Sequence, residues 1–372
     1  MKDDLRVIIS GGGTGGHIFP AISIANALKA LVPQVKILFV GAEGRMEMKR
    51  VPEAGYEIKG LPVSGLDRNH VLKNIKVVYH AMVSIVKARK IVRDFRPQVV
   101  VGVGGYASGP TLKAAEGMGI PTLLQEQNSY AGVTNKMLSK KAQMICVAYE
   151  GMEKFFPADK ILLTGNPVRQ ELLDAKVSRD LAVKSFGLEP QRKTVLIIGG
   201  SLGARSINQS VLSQLSLVAQ SGVQFIWQTG RYYSEQIQAD LARLGKPDNL
   251  HVCEFIKDMG KAYRAADLVI SRAGAGSISE LCLLQKACIL IPSPNVAEDH
   301  QTKNARALAD RDAAILITDA EAPMMMIPKA VDTVNNPEKL VQLSRNAAKL
   351  AQPDAARVIA EKIIQLAQNK PH

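Results

Sequence analysis

Four glycine-rich segments stand where a chain can grip an anion. The first, Gly11-Gly12-Gly13-Thr14-Gly15-Gly16-His17, follows the apolar run Leu5–Ser10 and precedes a helix-period segment, Ile18–Leu31. Its Gly11, Gly13 and Gly16 satisfy GxGxxG. Glycine permits positive φ and lets backbone N–H groups approach a phosphate, and the helix N-terminus that follows adds partial positive charge. The setting points to phosphate or sugar recognition, and the same residues also fit a plain tight turn. It is not a P-loop, because GxxxxGK[ST] is absent. Glu43, just beyond the next apolar run, stands near where an acid would hold a dinucleotide ribose. A nicotinamide-dependent oxidoreductase therefore stays open at this point.

Gly199-Gly200-Ser201-Leu202-Gly203-Ala204-Arg205 repeats the strand–glycine–helix pattern in the second half. Arg272-Ala273-Gly274-Ala275-Gly276-Ser277 opens a helix that contains Glu280. A nucleotide across these two loops would find amides for its diphosphate, and Glu280 can accept from both ribose hydroxyls. Glu280 equally fits an acid favoured near a helix N-terminus. The fourth segment, Gly102–Pro110, follows a strand in the first half.

These loops need a scaffold of strands and helices. Short apolar runs alternate with helix-period segments: Leu5–Ser10, Val35–Val40, Gln98–Val103, Pro121–Gln125, Met144–Val147 and Ile161–Thr164, then Thr194–Ile198, Gln224–Gln228, Leu250–Glu254, Leu268–Ser271, Cys288–Pro292 and Ala314–Ile317. The alternation predicts an α/β fold of two tandem Rossmann-like, doubly wound parallel-sheet domains, since twelve strands are many for one sheet. The expected join is Thr164–Arg169, where glycine and proline punctuate the pattern. Pro337–Gln368 reads as two helices broken near Pro353.

The chain has 372 residues, 47 Lys/Arg against 34 Asp/Glu, and a formal net charge of +13. Its length suits two domains, and its composition excludes wholesale disorder. Residues 1–165 carry 22 Lys/Arg and 13 Asp/Glu, so the first half holds most of the surplus. Such a surplus seeks an anionic partner. The four cysteines form no metal spacing, which favours reduced thiols in a cytoplasmic protein. No apolar stretch reaches the roughly 18–20 residues that span a bilayer.

GGGTGGHIFPA at 11–21, GVGGYASGP at 102–110, EQN at 126–128, GNPVR at 165–169, GGSLGAR at 199–205, EFIKDM at 254–259, RAGAGSISE at 272–280 and EDHQTKNA at 298–305 form one ordered set. In order and spacing the set resembles the MurG family of bacterial N-acetylglucosaminyltransferases, within glycosyltransferase family 28. The resemblance covers nearly the whole chain. It departs at Leu202, where the family often has Gln, and at Gly276-Ser277, where it has a bulkier residue and Thr. Neither change removes a backbone donor or Glu280.

The resemblance implies a GT-B fold, two Rossmann-like domains facing across a cleft. Residues 1–165, with 353–372 packing back, would bind the acceptor and the membrane; residues 166–352 would bind UDP-N-acetylglucosamine. The implied reaction is inverting transfer of N-acetylglucosamine to the 4-hydroxyl of undecaprenyl-diphosphate-linked N-acetylmuramyl pentapeptide, lipid I to lipid II in peptidoglycan biosynthesis. It needs a base but no covalent nucleophile. His17 is the favoured base, since imidazole exchanges protons near neutral pH; Glu126 is the competing carboxylate. The resemblance also carries substrate contacts onto Thr14, Gly15, Gly16, Asn128, Arg169, Ser201, Ile256, through its backbone groups, and Gln301, beside Glu280. Arg169 would neutralise charge on the leaving diphosphate. No cofactor and no metal are expected: Asp310-Arg311-Asp312 matches a metal-holding Asp-x-Asp by letter, but follows a helix at its exposed end.

Residues 66–96 carry eight Lys/Arg and two Asp among apolar positions spaced by three and four, an amphipathic basic helix. Its start, with Leu72, Lys73, Ile75, Lys76 and Tyr79, is read as meeting an anionic membrane surface, and its later part as packed on the sheet with a solvated basic face. The protein is thus expected to lie on the cytoplasmic face of the inner membrane. Nucleic acid is not expected, because aromatics are only 5% and no RNA-stacking or zinc motif occurs. The rivals are a UDP-sugar 2-epimerase or other GT-B enzyme, the oxidoreductase, and a non-catalytic UDP-sugar or lipid sensor.

Overall fold

The computed structural model describes residues 5–63, 74–168, 172 and 177–369, without the side chains of 74–79, 81 and 297. The chain divides into two compact units, Met1–Arg169 with Gln352–His372, and Gln170–Ala351.

The first unit runs β1 (Arg6–Ser10), α1 (Gly15–Leu31), β2 (Lys36–Ala42), α2 (Glu47–Glu53), β3 (Glu57–Leu61), α3 (Asn74–Phe95), β4 (Val99–Gly102), α4 (Ser108–Glu116), β5 (Thr122–Glu126), α5 (Val133–Leu138), β6 (Met144–Val147) and β7 (Ile161–Leu163). The second runs α6 (Arg179–Lys184), β8 (Thr194–Ile198), α7 (Arg205–Ser213), α8 (Leu215–Gln220), β9 (Gln224–Gln228), α9 (Ser234–Leu244), β10 (Leu250–Cys253), α10 (Met259–Ala265), β11 (Leu268–Ser271), α11 (Ala275–Leu283), β12 (Cys288–Leu290), α12 (His300–Ala309), β13 (Ile315–Leu316), α13 (Ala322–Val334) and α14 (Pro337–Lys349). The last helix, α15 (Ala355–Gln368), belongs to the first unit.

Strand order is β3-β2-β1-β4-β5-β6-β7 in one sheet and β10-β9-β8-β11-β12-β13 in the other. Every pairing among the described residues is parallel. Parallel strands are covered on both faces, which is why β4, β5, β8, β9 and β11 are buried at every position. In both sheets the order reverses beside the first strand, between β1 and β4 and between β8 and β11. Helices leave such a switch point to opposite faces and open a crevice at the strands' carboxyl ends. All four glycine-rich segments begin there.

Two sequence expectations need correction. A thirteenth strand, β3, was missed because it is an edge: Glu57 and Lys59 point to solvent, so its apolar alternation is weak. Helix α1 begins at Gly15 rather than Ile18, with extended Thr14 (φ −142°) at its N-cap position. Gly15, Gly16 and His17 are therefore its first turn, not loop.

Helix α15 lays Ile359, Ala360 and Ile363 into the core beneath β1 and β4, shared with Ile24 and Leu28 of α1. Ile359→Ala should cost the first unit about 2–5 kcal/mol. A urea melt followed by circular dichroism would read this; a midpoint unchanged from wild type would mean that α15 adds nothing to this core.

Candidate active site

In the first unit the segments after β1 and β4 meet backbone to backbone. Gly12 N–H donates to the Gly104 carbonyl at 3.2 Å. A Cβ on Gly105 (φ +88°) would lie 2.3 Å from the Gly12 carbonyl oxygen, so no side chain fits. Gly104 (φ +91°) lies under the His17 ring, where a Cβ would come within 2.9 Å of Cε1.

Buried Glu47, at the start of α2, binds this loop. Its carboxylate accepts from Gly13 N–H and Ala42 N–H, each at 2.9 Å. The amide expected to hold a phosphate thus holds a carboxylate of the chain itself. Glu43, the candidate ribose acid, pairs with Lys87 at 2.6 Å. A dinucleotide in the usual pose would meet the Glu47 carboxylate where its pyrophosphate needs the Gly13 amide, which argues against the oxidoreductase. Sequence reasoning missed Glu47; its only trace is the small residues around it, for Gly12 and Gly41 would each place a Cβ against its side chain.

His17 and the segment 126–128 come together. His17 Nδ1 lies 3.0 Å from Gln127 Oε1. Glu126 is 2% exposed, and its carboxylate accepts from Asn128 N–H (3.1 Å), Asn128 Nδ2 (3.3 Å), Gly132 N–H (3.0 Å) and Asn135 Nδ2 (2.9 Å). These bonds use both oxygens to order the 127–135 segment, which fits positioning better than proton abstraction. Thr14 and Gly16 are exposed at the mouth of this site, and Gly15, His17 and Asn128 are half-buried.

The second unit repeats the glycine device. A Cβ on Gly203 (φ +89°) would lie 2.3 Å from the Thr229 carbonyl oxygen, and one on Gly230 2.0 Å from Gly203 N. Exposed Ser201 sits in this loop. Gln228, also missed in the sequence, bridges it to the segment carrying Ile256: Nε2 donates to the Gly200 carbonyl at 3.0 Å, and Oε1 accepts Ile256 N–H at 2.9 Å. Ile256 was expected to meet substrate through its backbone groups, but its N–H is already given to Gln228.

Glu280, in the second turn of α11, accepts from Tyr263 Oη at 3.0 Å. Arg272 donates to the carbonyls of Ile291 and Pro292 and to Ser206 Oγ, and pairs with Asp319, tying the third glycine segment to the start of α7. Gln301, in α12, accepts Ser293 N–H at 2.9 Å through Oε1. Glu298 (φ 56°) and Asp299 (φ 50°) precede α12 in the left-handed region, a strain of about 1–3 kcal/mol each. Asp310 and Asp312 are exposed just after α12.

Arg169, Leu72 and Lys73 lie outside the described residues; Ile75, Lys76 and Tyr79 are placed on α3 by backbone alone. Farther along α3, Ala88, Ile91 and Val92 are buried, but Met82 and Val86 are 59% and 68% exposed beside Lys87, Arg89, Lys90 and Arg93. The later part of this helix is thus not a purely basic outer face. Burial pushes the thiols of Cys146 and Cys282 up to about 12 and that of Cys253 to about 11, and raises Cys288 as well. None is poised as a nucleophile.

Residues 7–147 match the glycosyltransferase family 28 N-terminal domain and residues 194–360 the family 28 C-terminal domain. The chain is 65% identical over 367 residues, 98% of this chain and 97% of the other, to a Bacteroides fragilis protein named UDP-N-acetylglucosamine--N-acetylmuramyl-(pentapeptide) pyrophosphoryl-undecaprenol N-acetylglucosamine transferase. The crystal structure of Acinetobacter baumannii MurG superposes with a TM-score of 0.76 at 29% identity, covering 97% of this chain and 99% of that one. A UDP-N-acetylglucosamine 2-epimerase reaches 0.68 at 13% identity, covering 100% of this chain and 98% of that one, a likeness of fold alone.

Glu47→Ala would leave the Gly13 and Ala42 amides unpaired. The expected loss is about 2–4 kcal/mol, read in a urea melt. A melt matching wild type would show that the carboxylate does not hold the loop.

Proposed function

From the premise that the chain belongs to glycosyltransferase family 28, we infer that it transfers N-acetylglucosamine from UDP-N-acetylglucosamine to undecaprenyl-diphosphate-linked N-acetylmuramyl pentapeptide, turning lipid I into lipid II in peptidoglycan synthesis. The observation that carries this reading is 65% identity, over nearly the full length of both chains, to a transferase named for those substrates.

The chemistry is one inverting displacement. The acceptor 4-hydroxyl attacks the anomeric carbon of the donor sugar, the bond to the diphosphate breaks, and its electron pair leaves on a diphosphate oxygen. The hydroxyl proton passes to His17. Glu126, its oxygens committed to amides, holds Asn128 for a sugar hydroxyl, while Thr14, Gly15 and Gly16 offer groups at the N-terminus of α1. The second unit holds the donor: Ser201 and the first amides of α7 and α11 face the diphosphate, Glu280 takes the ribose hydroxyls, the Ile256 carbonyl meets the base, and Gln301 gives its amide NH2 to the sugar. Arg169 neutralises the leaving group. Preorganised donors of this kind stabilise charge as it develops, without an ion.

The first unit binds the acceptor and the membrane. No helix among the described residues is long and apolar enough to cross a bilayer. Attachment from the cytoplasmic face is supported instead by the basic, apolar-tipped α3. Apolar side chains beside lysine and arginine suit an anionic headgroup layer, and a polyprenyl-linked acceptor requires the enzyme to work there.

In an assay of sugar transfer to the lipid-linked acceptor, His17→Ala should lose about 10²–10⁴ of kcat, the span of a positioned general base. Retained kcat in His17→Ala, with loss in Glu126→Ala, would give the base role to Glu126. Liposomes containing anionic lipid should sediment with the protein, less so at high salt and less so for Val86→Glu. Co-sedimentation indifferent to both would sink the membrane reading.

A further inference from the structure

We propose that Gln127 is the positioning residue for His17, holding its imidazole in the tautomer with the proton on Nδ1 and the lone pair on Nε2. The inference rests on reading His17 as the base, and it deepens that reading by saying how the ring is made ready.

The orientation of each amide follows from its neighbours. Gln127 Nε2 lies 2.7 Å from the Val103 carbonyl oxygen, which can only accept. That end of the side chain is therefore NH2, and it also donates to Gln125 Oε1. Gln127 Oε1 then faces His17 Nδ1 at 3.0 Å. An amide oxygen only accepts, so Nδ1 carries the proton.

Gln125 is fixed in turn. Its Nε2 donates to Asn166 Oδ1 at 2.9 Å, and Asn166 Nδ2 donates to the Gln127 backbone carbonyl at 3.0 Å. The chain of amides begins and ends on backbone carbonyls, so flipping any member sets acceptor against acceptor. Gln125, Gln127 and Asn166 are 0%, 2% and 4% exposed, so water cannot replace a broken link, and each bond is stronger for the low dielectric. Gly104, with no Cβ, leaves room for the ring beside this chain.

A carboxylate in the place of Gln127 would orient the ring and also stabilise the imidazolium. The neutral amide orients it without adding charge. His17 can thus accept the acceptor's proton on Nε2 and release it again between turnovers.

The test uses the full-length protein labelled with ¹⁵N-histidine. The His17 signals are those missing from the spectrum of His17→Asn. At a pH where the ring is neutral, wild type should show Nδ1 protonated and Nε2 bare. Gln127→Met, similar in size but without an acceptor, should shift the ring toward the Nε2–H tautomer. It should also lower kcat by about 10- to 100-fold, the range seen when the orienting partner of a metal-bound histidine is removed, with KM for UDP-N-acetylglucosamine unchanged. An Nε2–H tautomer in wild type, or full kcat in Gln127→Met, would overturn the proposal. If Gln127→Met fails to fold, the wild-type spectrum still decides. Full kcat in His17→Asn would overturn the base reading instead, whichever tautomer is found.

Discussion

Both units depend on one steric constraint: two stretches of backbone must touch where loops leave neighbouring parallel strands, β1 and β4 in the first unit and β8 and β9 in the second. Gly12 against Gly105 in the first unit, and Gly203 against Gly230 in the second, approach more closely than any Cβ allows. The contact draws loops from adjacent strands into one rim at the carboxyl ends of the sheet, where a doubly wound fold opens its crevice. Helices α1, α7 and α11 then begin at that rim, and a helix N-terminus carries partial positive charge.

The two rims are finished differently. In the first unit buried carboxylates are turned inward, Glu47 onto the Gly13 and Ala42 amides and Glu126 onto Asn128, Gly132 and Asn135. Their charge is committed to loop order, and His17 stands half-buried at the mouth of the site. In the second unit Gln228 and Arg272 do the bracing, and the carboxylate drawn into it, Asp319, is paired with Arg272. Two differently braced rims are thus built on one topology.

Much of the fold was legible in the sequence, because the glycines and the strand–helix alternation announce themselves by type and spacing. Strand β3 escaped because an edge strand need not alternate cleanly. Glu47 and Gln228 escaped because a side chain that braces a distant loop leaves no local pattern. EQN drew attention to Glu126 and Asn128, yet the residue bonded to His17 is the one between them, and its partners Val103 and Asn166 are distant in sequence. Exposed Met82 and Val86 on α3 were assigned to packing because periodicity tells which residues share a face, not which face is covered.

The central claim is that the two units carry out one transfer, with sugar leaving the nucleotide only when the lipid-linked acceptor takes it. The most direct measurement follows radiolabel from UDP-N-acetylglucosamine in the presence and absence of undecaprenyl-diphosphate-linked muramyl pentapeptide. The account predicts label in the lipid fraction, matched by an equal release of UDP, and neither without acceptor. Turnover of the donor without acceptor, or donor binding with no transfer when acceptor is present, would contradict it.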